Sequence, residues 1–557
     1  MLSATAKKRL LILIGTLAWS ATMVKSGLVY PFGMGFWGPN GHDGVWHISL
    51  AENLSRGNLN MPIFAGAKLQ NYHLGFDLIL ATVHKLTAVP VSVLYFQILP
   101  PLLAVLIGLA AYYWVRLWTQ NDICAWWSVF FIYFGGSFGW LVSWVRTGQL
   151  GGESMFWSQQ AISTLVNPPF ALSILLLLIG LIGLVGYQQT SSPRYFWMTS
   201  LAFGLVGFVK IYAGVIALSG LSLLAFRHRR LLPVFFISLT LFLVLFLPLN
   251  RNSSQLLVFQ PGWFLETMMG LPDRFNWPRF YQAMITYPQA ANWPKAVLAY
   301  AVAATIFVLG NLGTRAFAFF HLKSSSLFSI SELFIWQGIA LGFIFPMLFL
   351  QAGTPWNTIQ FLYYTQFFAA ILAGIFIGRL PEIIKNRKIL FTIYSLLFTF
   401  TLPTSIDTLR HYLPSRPPAK ISTEELEALK FLRRQPAGVV LTPPFDRGAA
   451  ENTVLSPPRP LYLYESTAYV SAFSAQPVYL EDEVNLDITG YDWKSRRRQL
   501  EEFFAQRDAA SASDFLAQNK IAYIYLPDIA HTRPRLSASE LGFTTLFANS
   551  QVAIWSR

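Results

Sequence analysis

Two aspartate–histidine pairs near the start of the chain have residue types and a spacing suited to proton transfer. Asp43 and His47 form the first pair, and His73 and Asp77 form the second. Side chains four residues apart can lie on one face of a helix. A carboxylate in such a position can accept a proton from a hydroxyl group, which is the role of a general base. Asp43 can equally well cap the helix that follows it, and the spacing favours neither role.

The same residues also allow a metal site. Imidazole nitrogens and carboxylate oxygens bind divalent metal ions, so His47, His73 and Asp77 are candidate ligands. Their spacing matches no familiar metal motif, and histidines hydrogen-bonded near a membrane surface are the favoured interpretation. A divalent metal ion is kept as the alternative hypothesis for a cofactor.

One cation lies within an apolar run. Lys210 occurs near the middle of residues 195–226, and a lysine at the centre of a membrane helix costs about 2.5–3.5 kcal/mol. Such a residue usually faces a polar cavity or an anionic partner, so a phosphate group is the predicted partner. Snorkelling, or pairing with a carboxylate, is the alternative. The run is too long for one ordinary span, and folding it as a hairpin would bring Lys210 to the outer surface.

Other polar positions give weaker signals. Arg251 begins a predicted outer loop and is, with Lys210, a candidate for binding phosphate. Gln360 ends a polar loop and is a candidate for binding a sugar. The acidic triplet 481–483 and the arginine triplet 496–498 are predicted to be solvated surface residues. The sequence contains no nucleophile elbow, Walker loop or dinucleotide-binding fingerprint.

The composition indicates that membrane helices position these groups. Of the 557 residues, 54% are hydrophobic and only 12% are charged, whereas soluble domains contain about 25% charged residues. The net charge of +14 is explained by cytoplasmic loops that carry lysine and arginine, so no nucleic-acid partner is predicted. The single Cys124 excludes disulfides and thiolate metal sites.

The apolar runs predict a polytopic α-helical membrane protein with about eleven spans. Basic clusters at 227–230, 315–323 and 379–388 are predicted to be cytoplasmic. With the N-terminus also cytoplasmic, three loops and the chain after residue 405 are predicted to lie outside. The predicted outer loops are 31–94, 251–294 and 351–356. The candidate spans are 10–30, 95–118, 123–145, 168–187, 195–226, 231–250, 295–313, 329–350, 357–378 and 388–405.

Segment 74–89 has two interpretations. It is either a further span or a helix that lies flat on the outer surface, and the count of positive charges is equal for the two. The flat helix is favoured because His73, Asp77 and His84 share one stripe with apolar residues opposite.

The first outer loop contains a second amphipathic pattern, over residues 45–56. Trp46, Leu50 and Leu54 line one side of this predicted helix, and polar residues line the other. The pattern predicts a helix that lies in the membrane surface, with Asp43 at its N-terminus.

The composition changes at about residue 406. Three prolines between 414 and 418 mark a linker, and Ser422 with Glu425 forms a capping pattern. Strand-like runs alternate with helical segments after this linker, which predicts a small extracytoplasmic α/β domain over 406–557, with 1–405 as the membrane domain. Its strand-like runs are 439–441, 478–480, 521–526 and 552–555, and its helical segments lie near 492–506 and 511–519.

These features resemble the GT-C class of membrane glycosyltransferases, which use polyprenyl-phosphate-linked sugars. The family pattern is a first span, an outer loop with an essential aspartate, a surface helix ending near a glycine, and a second segment of aromatic and polar residues. Here the pattern reads Asp43, then 46–57, then Asn71-Tyr72-His73. Many members also carry a C-terminal extracytoplasmic α/β domain, as is predicted here for 406–557.

The resemblance implies an activity at the outer side of the plasma membrane. Asp43 would act as general base on an acceptor hydroxyl, while the sugar leaves a polyprenyl-phosphate donor held among membrane lipids, with inversion at the anomeric carbon. The candidate substrate-binding residues are His42, His47, Tyr72, His73, Lys210, Arg251 and Gln360.

The chain departs from the family pattern at two acidic positions. Many members begin the motif with an acidic pair, whereas here His42 precedes Asp43 and Gly44 follows it. The acidic residue that some members place in the next outer loop has Glu153 as its nearest counterpart. Both departures bear on metal dependence, which the resemblance leaves open.

Two other classes of function compete with this one. A transporter or lipid flippase usually has related halves with broken helices in matching positions, and the sequence shows no such symmetry. A non-catalytic envelope assembly protein would carry its activity in 406–557 and would tolerate substitution of Asp43 and Lys210. The glycosyltransferase is favoured over both.

Overall fold

The computed structural model describes residues 3–250, 257–323 and 329–557. The chain is predominantly helical, with short strands near its start and in its last third. Its α-helices are α1 Ala4–Ser20, α2 Asp43–Ser55, α3 Gly75–Thr87, α4 Val91–Val93, α5 Leu99–Thr119, α6 Asp122–Phe134, α7 Gly139–Thr147, α8 Pro168–Thr190, α9 Pro193–Val209, α10 Ile211–Arg227, α11 Leu232–Phe246, α12 Trp263–Gly270, α13 Pro278–Gln289, α14 Trp293–Leu312, α15 Ile330–Leu348, α16 Gln360–Ile383, α17 Arg387–Tyr412, α18 Thr423–Arg433, α19 Arg447–Asn452, α20 Leu461–Tyr464, α21 Tyr469–Ser474, α22 Glu483–Thr489, α23 Trp493–Ala505, α24 Ala509–Gln518 and α25 Ile529–Thr532.

Ten strands form three small sheets within the described residues. One sheet has the order β1-β2-β5-β7, the second has the order β6-β8-β10-β9, and β3 pairs with β4. The strands are β1 Val29–Tyr30, β2 Gly33–Phe36, β3 Leu257–Phe259, β4 Phe349–Gln351, β5 Ala419–Ile421, β6 Val439–Leu441, β7 Arg459–Pro460, β8 Ile521–Leu526, β9 Thr544–Ala548 and β10 Ala553–Ser556.

The chain divides into two compact units. The first is formed by the described residues of Met1–Ala21, Pro100–Pro248 and Asn252–His411, and the second by those of Thr22–Leu99, Leu249–Arg251 and Tyr412–Arg557. In the first unit α8 and α11 pack against α9, while α6 and α15 pack against α16. In the second, the helix α2 packs against α3 and α21.

Seven helical stretches in the described part of the chain are long and apolar enough to cross a membrane. An eighth is obtained if α6 and α7, which are bent by 49° at a short break, form one span. The chain is therefore a multi-pass membrane protein. The predicted count of about eleven is not confirmed, because α1, α9 and α10 have only 17 residues each, about 26 Å at 1.5 Å per residue. The seven are Val91–Thr119, Pro168–Thr190, Arg229–Phe246, Trp293–His321, Ile330–Leu348, Pro355–Ile383 and Arg387–Tyr412.

The predicted first span, 10–30, is wrong at both ends. Its helix begins at Ala4 and ends at Ser20, and Val29–Tyr30 and Gly33–Phe36 form the paired strands β1 and β2. Gly33 explains part of the difference: its φ is +105°, and a Cβ there would lie 2.1 Å from the carbonyl oxygen of Ile421. A strand can approach this closely only where the side chain is absent.

The run 195–226 folds as the predicted hairpin. The helices α9 and α10 contact each other, and Lys210 between them has extended backbone angles (φ −155°, ψ 113°). Gly207 and Gly214 make the close approach, since a Cβ on Gly214 would lie 2.6 Å from the Cα of Gly207. Lys210 is therefore located at the tip of a hairpin, as predicted.

One basic residue predicted for a cytoplasmic loop is buried instead. Arg315 is only 2% exposed. Its guanidinium donates to the carbonyl oxygens of Leu312 and Asn311 at 3.1 and 2.8 Å and to the side chain of Gln160. Carbonyl groups at the end of α14 thus provide the acceptors that an arginine needs when it is buried.

Segment 74–89 contains a helix too short to span a membrane. Helix α3 covers Gly75–Thr87 and is followed by Ala88 in the left-handed conformation, so its 13 residues span about 20 Å. Asp77, predicted for a polar stripe, is fully buried beside Phe76 and Leu80. The polar stripe predicted for this helix is therefore not exposed at Asp77.

The helix predicted over 45–56 exists, but it does not present a polar face to solvent. Helix α2 is buried on almost every side, including Ser49 and Glu52 of its predicted polar face. Ser49 bonds Ser471 at 2.8 Å, and Glu52 forms an ion pair with Arg433 at 2.6 Å. The polar face is thus matched by polar partners from the C-terminal segment.

Residues 412–557 combine helices with the mixed sheet β6-β8-β10-β9. Strand β6 is parallel to β8, and β8 and β9 are antiparallel to β10. The predicted capping pattern is confirmed, because Ser422 and Glu425 form a reciprocal capping box at the start of α18. The strands β2 and β5 pair across the second unit, which the predicted boundary at residue 406 did not anticipate.

Candidate active site

A buried histidine links two aspartates from distant parts of the second unit. His42 Nδ1 lies 3.0 Å from Asp43 Oδ1, and His42 Nε2 lies 3.1 Å from Asp482 Oδ1. The His42 side chain is 9% exposed and that of Asp482 is fully buried, whereas the side chain of Asp43 is 51% exposed. The arrangement therefore ends in one carboxylate that solvent can reach.

Local backbone geometry positions the two residues from the first loop. A tight turn over Gly38–Gly41 leads to His42, which is the N-cap of α2, and Asp43 is in the first turn of that helix. Asp43 is thus not the capping residue, although a carboxylate in a first turn is favoured by the helix dipole. The turn holds the carboxylate at the very start of a buried helix.

Asp482 is held by the helix that it caps. It has a φ of +50°, a conformation that aspartate tolerates better than most residues. Its carboxylate accepts hydrogen bonds from the backbone N–H of Asn485 at 3.0 Å and from the Asn485 side chain at 2.8 Å. These bonds fix the carboxylate that meets the ring of His42.

The charges of the two aspartates act on His42. Burial alone would lower the pKa of its imidazole, but the charges of Asp482 and Asp43 and their hydrogen bonds outweigh burial, and the pKa is raised well above its ordinary value. A protonated imidazole has an N–H on each ring nitrogen. His42 can then donate to both carboxylates at once, which gives this site a defined pattern of donors and acceptors.

The carboxyl group of Glu465 also interacts electrostatically with His42, Asp43 and Asp482. Burial is the main reason that its pKa is raised; His42 opposes the rise, while Asp43 and Asp482 add to it. The neighbouring Tyr464 donates to the carbonyl of Gly38 at 3.3 Å, and burial raises its pKa to about 12. The site is therefore rich in acidic side chains around a single buried cation.

Among the described contacts, His47 and Asp43 each pair with a residue other than their predicted i,i+4 partner. His47 Nδ1 lies 2.7 Å from Asp77 Oδ1, and both side chains are buried, while Asp43 bonds the adjacent His42. The reason is tertiary, since α2 packs directly against α3. His47 therefore ties these two helices together.

The metal hypothesis can be tested on the donor groups. In the residues that the structure describes, no group of three or more histidine, cysteine, aspartate or glutamate side chains could hold a metal ion. His47 and Asp77 contact each other, and both ring nitrogens of His42 lie against carboxylates. Among the described residues, His47, His73 and Asp77 thus form no cluster of three metal donors, and a divalent metal ion stays a prediction from the sequence.

Two other predicted residues form an aromatic pair beside α2. The rings of Tyr72 and His73 stack with centroids 4.6 Å apart, and the ring of Tyr72 meets Trp46 edge-on at 5.4 Å. Both are only partly buried. Burial is the main cause of a pKa raised well above the ordinary value for Tyr72, so its hydroxyl stays protonated.

The remaining predicted residues belong to other parts of the chain. Lys210 is 5% exposed, with its Nζ 5.6 Å from the ring centroid of Tyr212. The Gln360 side chain donates to Asn357 within its own loop. Arg251 lies outside the described residues, so its predicted role stays a prediction.

Sequence reasoning missed Asp482. The triplet 481–483 was expected to be solvated, yet Glu481, Asp482 and Glu483 are all buried. Glu483 forms ion pairs with Arg497 and Arg447, so Arg497 is not a freely solvated residue, whereas Arg498 is exposed as predicted. The one sequence signal for the burial of Asp482 is its position, because three acidic residues follow directly after the apolar run 478–480.

The fold can be compared with those of known proteins. No family model matches the sequence, and no curated protein matches it either. Among solved structures, the apo oligosaccharyltransferase of Archaeoglobus fulgidus has a TM-score of 0.51 to 93% of this chain and 69% of that chain, at 11% sequence identity. The arabinofuranosyltransferase AftD from Mycobacteria has a TM-score of 0.50 to 99% of this chain and 39% of that chain, at 12% identity.

Both neighbours are GT-C glycosyltransferases. This chain has the GT-C fold. The GT-C resemblance that the first outer loop predicted is confirmed at the level of the fold. The chain spans about two fifths of AftD.

Proposed function

We propose that this chain is a membrane glycosyltransferase that moves a sugar from a polyprenyl-phosphate donor to an acceptor hydroxyl on the outer side of the membrane. The observation that carries the proposal is the half-exposed carboxylate of Asp43, held by the buried ring of His42. The neighbours with this fold are named as transferases of oligosaccharyl and arabinofuranosyl groups. The many apolar helices suit a donor whose lipid chain lies in the membrane.

The reaction requires one base and one leaving group. The oxygen of the acceptor hydroxyl forms a bond to the anomeric carbon of the sugar, and the bond from that carbon to the phosphate oxygen breaks. Asp43 accepts the hydroxyl proton, and polyprenyl phosphate leaves with the bonding electron pair. A single displacement of this kind inverts the anomeric carbon. A positioned base contributes about 10²–10⁴-fold to such a rate.

His42 and Asp482 act as positioning residues in this scheme. A base must lie within hydrogen-bond reach of the proton it removes, so the orientation of the Asp43 carboxylate matters. The His42 ring contacts one oxygen of Asp43 at 3.0 Å and is itself fixed by Asp482 at 3.1 Å. The fully buried Asp482 thus controls the exposed carboxylate through the ring.

Lys210 is proposed to bind the donor phosphate. Lys210 is 5% exposed at the break between two apolar helices, where an anionic partner compensates the cost of burying a cation. Negative charge grows on the phosphate as the sugar leaves, and a fixed cation stabilises that charge. Arg251 is retained as a second candidate for the same phosphate.

The aromatic pair is proposed to contact the sugar. Tyr72 and His73 stack on each other and are partly exposed, and a stacked aromatic surface suits the apolar face of a sugar ring. Gln360 is kept as a candidate for a sugar hydroxyl. His47, paired with Asp77, supports the site by holding α2 on α3.

The function can be tested with purified full-length protein and a panel of polyprenyl-phosphate sugars. Native mass spectrometry in detergent identifies which donor is retained, and a transfer assay then follows loss of that donor with radiolabelled sugar. We expect retention of a phosphorylated polyprenyl lipid and transfer of its sugar to a hydroxyl acceptor. Retention of no lipid from the panel would contradict the proposal and favour transport or envelope assembly.

A further inference from the structure

The second unit contains a large cavity that the proposed chemistry does not use. It has a volume of about 1010 Å³ and is lined by residues between Thr442 and Arg533. Ligand pockets in proteins are commonly about 300–1,000 Å³, so this cavity is at the upper end of that range. It has room for a ligand larger than one sugar ring.

Acidic side chains outnumber arginines in its lining, although burial raises the pKa of one of them, Glu481, to about 8. Among the described lining residues, five are aspartate or glutamate and three are arginine. Two of those arginines, Arg447 and Arg497, already form ion pairs with Glu483. A phosphate or other anion would have to compete with Glu483 for these two arginines, so a neutral ligand with hydroxyl donors is favoured.

The remaining groups suit a sugar. The Tyr462 hydroxyl donates to Asp528 Oδ2 at 3.4 Å, and the Asp528 side chain is 34% exposed, so it can accept further hydrogen bonds. Tyr462, Tyr469 and Phe504 add aromatic surface to the same lining. Carboxylates accept hydrogen bonds from hydroxyl groups, and aromatic rings pack against apolar faces. This combination is typical of carbohydrate recognition.

The cavity reaches the residues that surround the catalytic carboxylate. Glu465 is part of its lining and directly follows Tyr464, whose hydroxyl donates to the carbonyl of Gly38 at 3.3 Å, in the turn that leads to His42. Glu481 and Glu483 also line the cavity, on either side of Asp482 in the sequence. One end of the cavity lining is therefore adjacent in sequence to residues that contact the turn before the proposed base.

We propose that this cavity binds the acceptor and that the acceptor is a neutral oligosaccharide. The inference rests on the proposed transferase function, because only a transferase has an acceptor. The exposed end of the saccharide would present its hydroxyl near Asp43, while Glu465 and Asp528 accept hydrogen bonds from its other hydroxyls.

The experiment is calorimetric titration of full-length protein with neutral oligosaccharides of glucose, galactose, mannose or arabinose. Asp528→Asn and Glu465→Gln are compared with wild type, and Glu502→Gln, on the exposed face of α23, is the matched control. We expect wild type and the control to bind one class of saccharide, and each cavity variant to bind it about tenfold more weakly. Thermal unfolding of every variant verifies that it is folded.

Donor retention measured on the same samples separates the two proposals. Binding of saccharide by wild type with equal affinity in folded cavity variants would overturn the acceptor site, as would binding of no saccharide by a protein that retains donor. Saccharide binding weakened by the cavity variants, in a protein that retains no donor, would support a carbohydrate site and overturn the transferase.

Discussion

His42 Nε2 lies 3.1 Å from the carboxylate of Asp482, a residue 440 positions later in the sequence. The contact joins the segment between α1 and α3 to the C-terminal segment inside one compact unit. The other nitrogen of the ring lies against Asp43, so the last third of the chain contributes to the orientation of the proposed base. The C-terminal segment therefore contributes a side chain to the candidate site.

The contact makes stability depend on pH. Because Asp482 and Asp43 raise the pKa of His42 in the folded protein, their contribution is complete below the ordinary value of 6.5 and is lost as the pH rises through the raised pKa. Asp482→Asn keeps an N-cap side chain but removes the charge. We expect this variant to unfold more easily at pH 6 by on the order of 2 kcal/mol, with the difference shrinking toward alkaline pH.

Thermal unfolding in detergent across this pH range measures that difference. Asp514→Asn, which changes an exposed aspartate on α24, is the control for loss of one negative charge. A difference between wild type and Asp482→Asn that stayed constant from pH 6 to alkaline pH would show that His42 does not carry the charge assigned to it.

The buried pair His47–Asp77 is expected to be structural. Asp77→Leu leaves the Nδ1 atom of His47 without its 2.7 Å partner, and loss of a buried hydrogen bond to a charged group costs about 1–3 kcal/mol. Asp77→Asn keeps an acceptor and should cost less. Thermal unfolding ranks the three proteins, and equal melting temperatures for wild type and Asp77→Leu would refute the assignment.

Lys210 is expected to determine donor binding. Lys210→Met keeps an apolar side chain of similar length but removes the ammonium group, so retention of the phosphorylated lipid should fall at least about tenfold. Lys210→Arg keeps the charge and should retain part of the binding. Native mass spectrometry compares these with Lys295→Met, which removes an exposed lysine at the start of α14. Undiminished lipid retention by Lys210→Met would exclude Lys210 from the donor site.

Local patterns predicted the elements that depend on local sequence. The strands over 439–441 and 521–526 were placed as β6 and β8, and the helix near 492–506 as α23, because alternation and capping act over a few residues. The hairpin with Lys210 at its tip followed from the excess length of its apolar run.

The pairing of side chains could not be predicted in the same way. Asp43 and His47 have ideal spacing, yet each bonds a different residue, because packing of α2 on α3 brings Asp77 to His47. Sequence periodicity does not reveal that Asp482 is buried, because an acidic residue is ordinarily solvated. Its burial depends on His42, which lies at the other end of the chain. Short-range spacing specifies the face of a helix but not what packs against it.

The most direct test of the proposed mechanism is the single-turnover transfer rate of Asp43→Asn with its donor bound. The side chain is half exposed, so the substitution should preserve the fold, and retention of the donor by native mass spectrometry establishes that binding is intact. With Asp514→Asn as control, we predict that transfer by Asp43→Asn is slower by about 10²–10⁴-fold. A folded, donor-loaded Asp43→Asn protein that transfers sugar at the wild-type rate would contradict the role of Asp43 as general base.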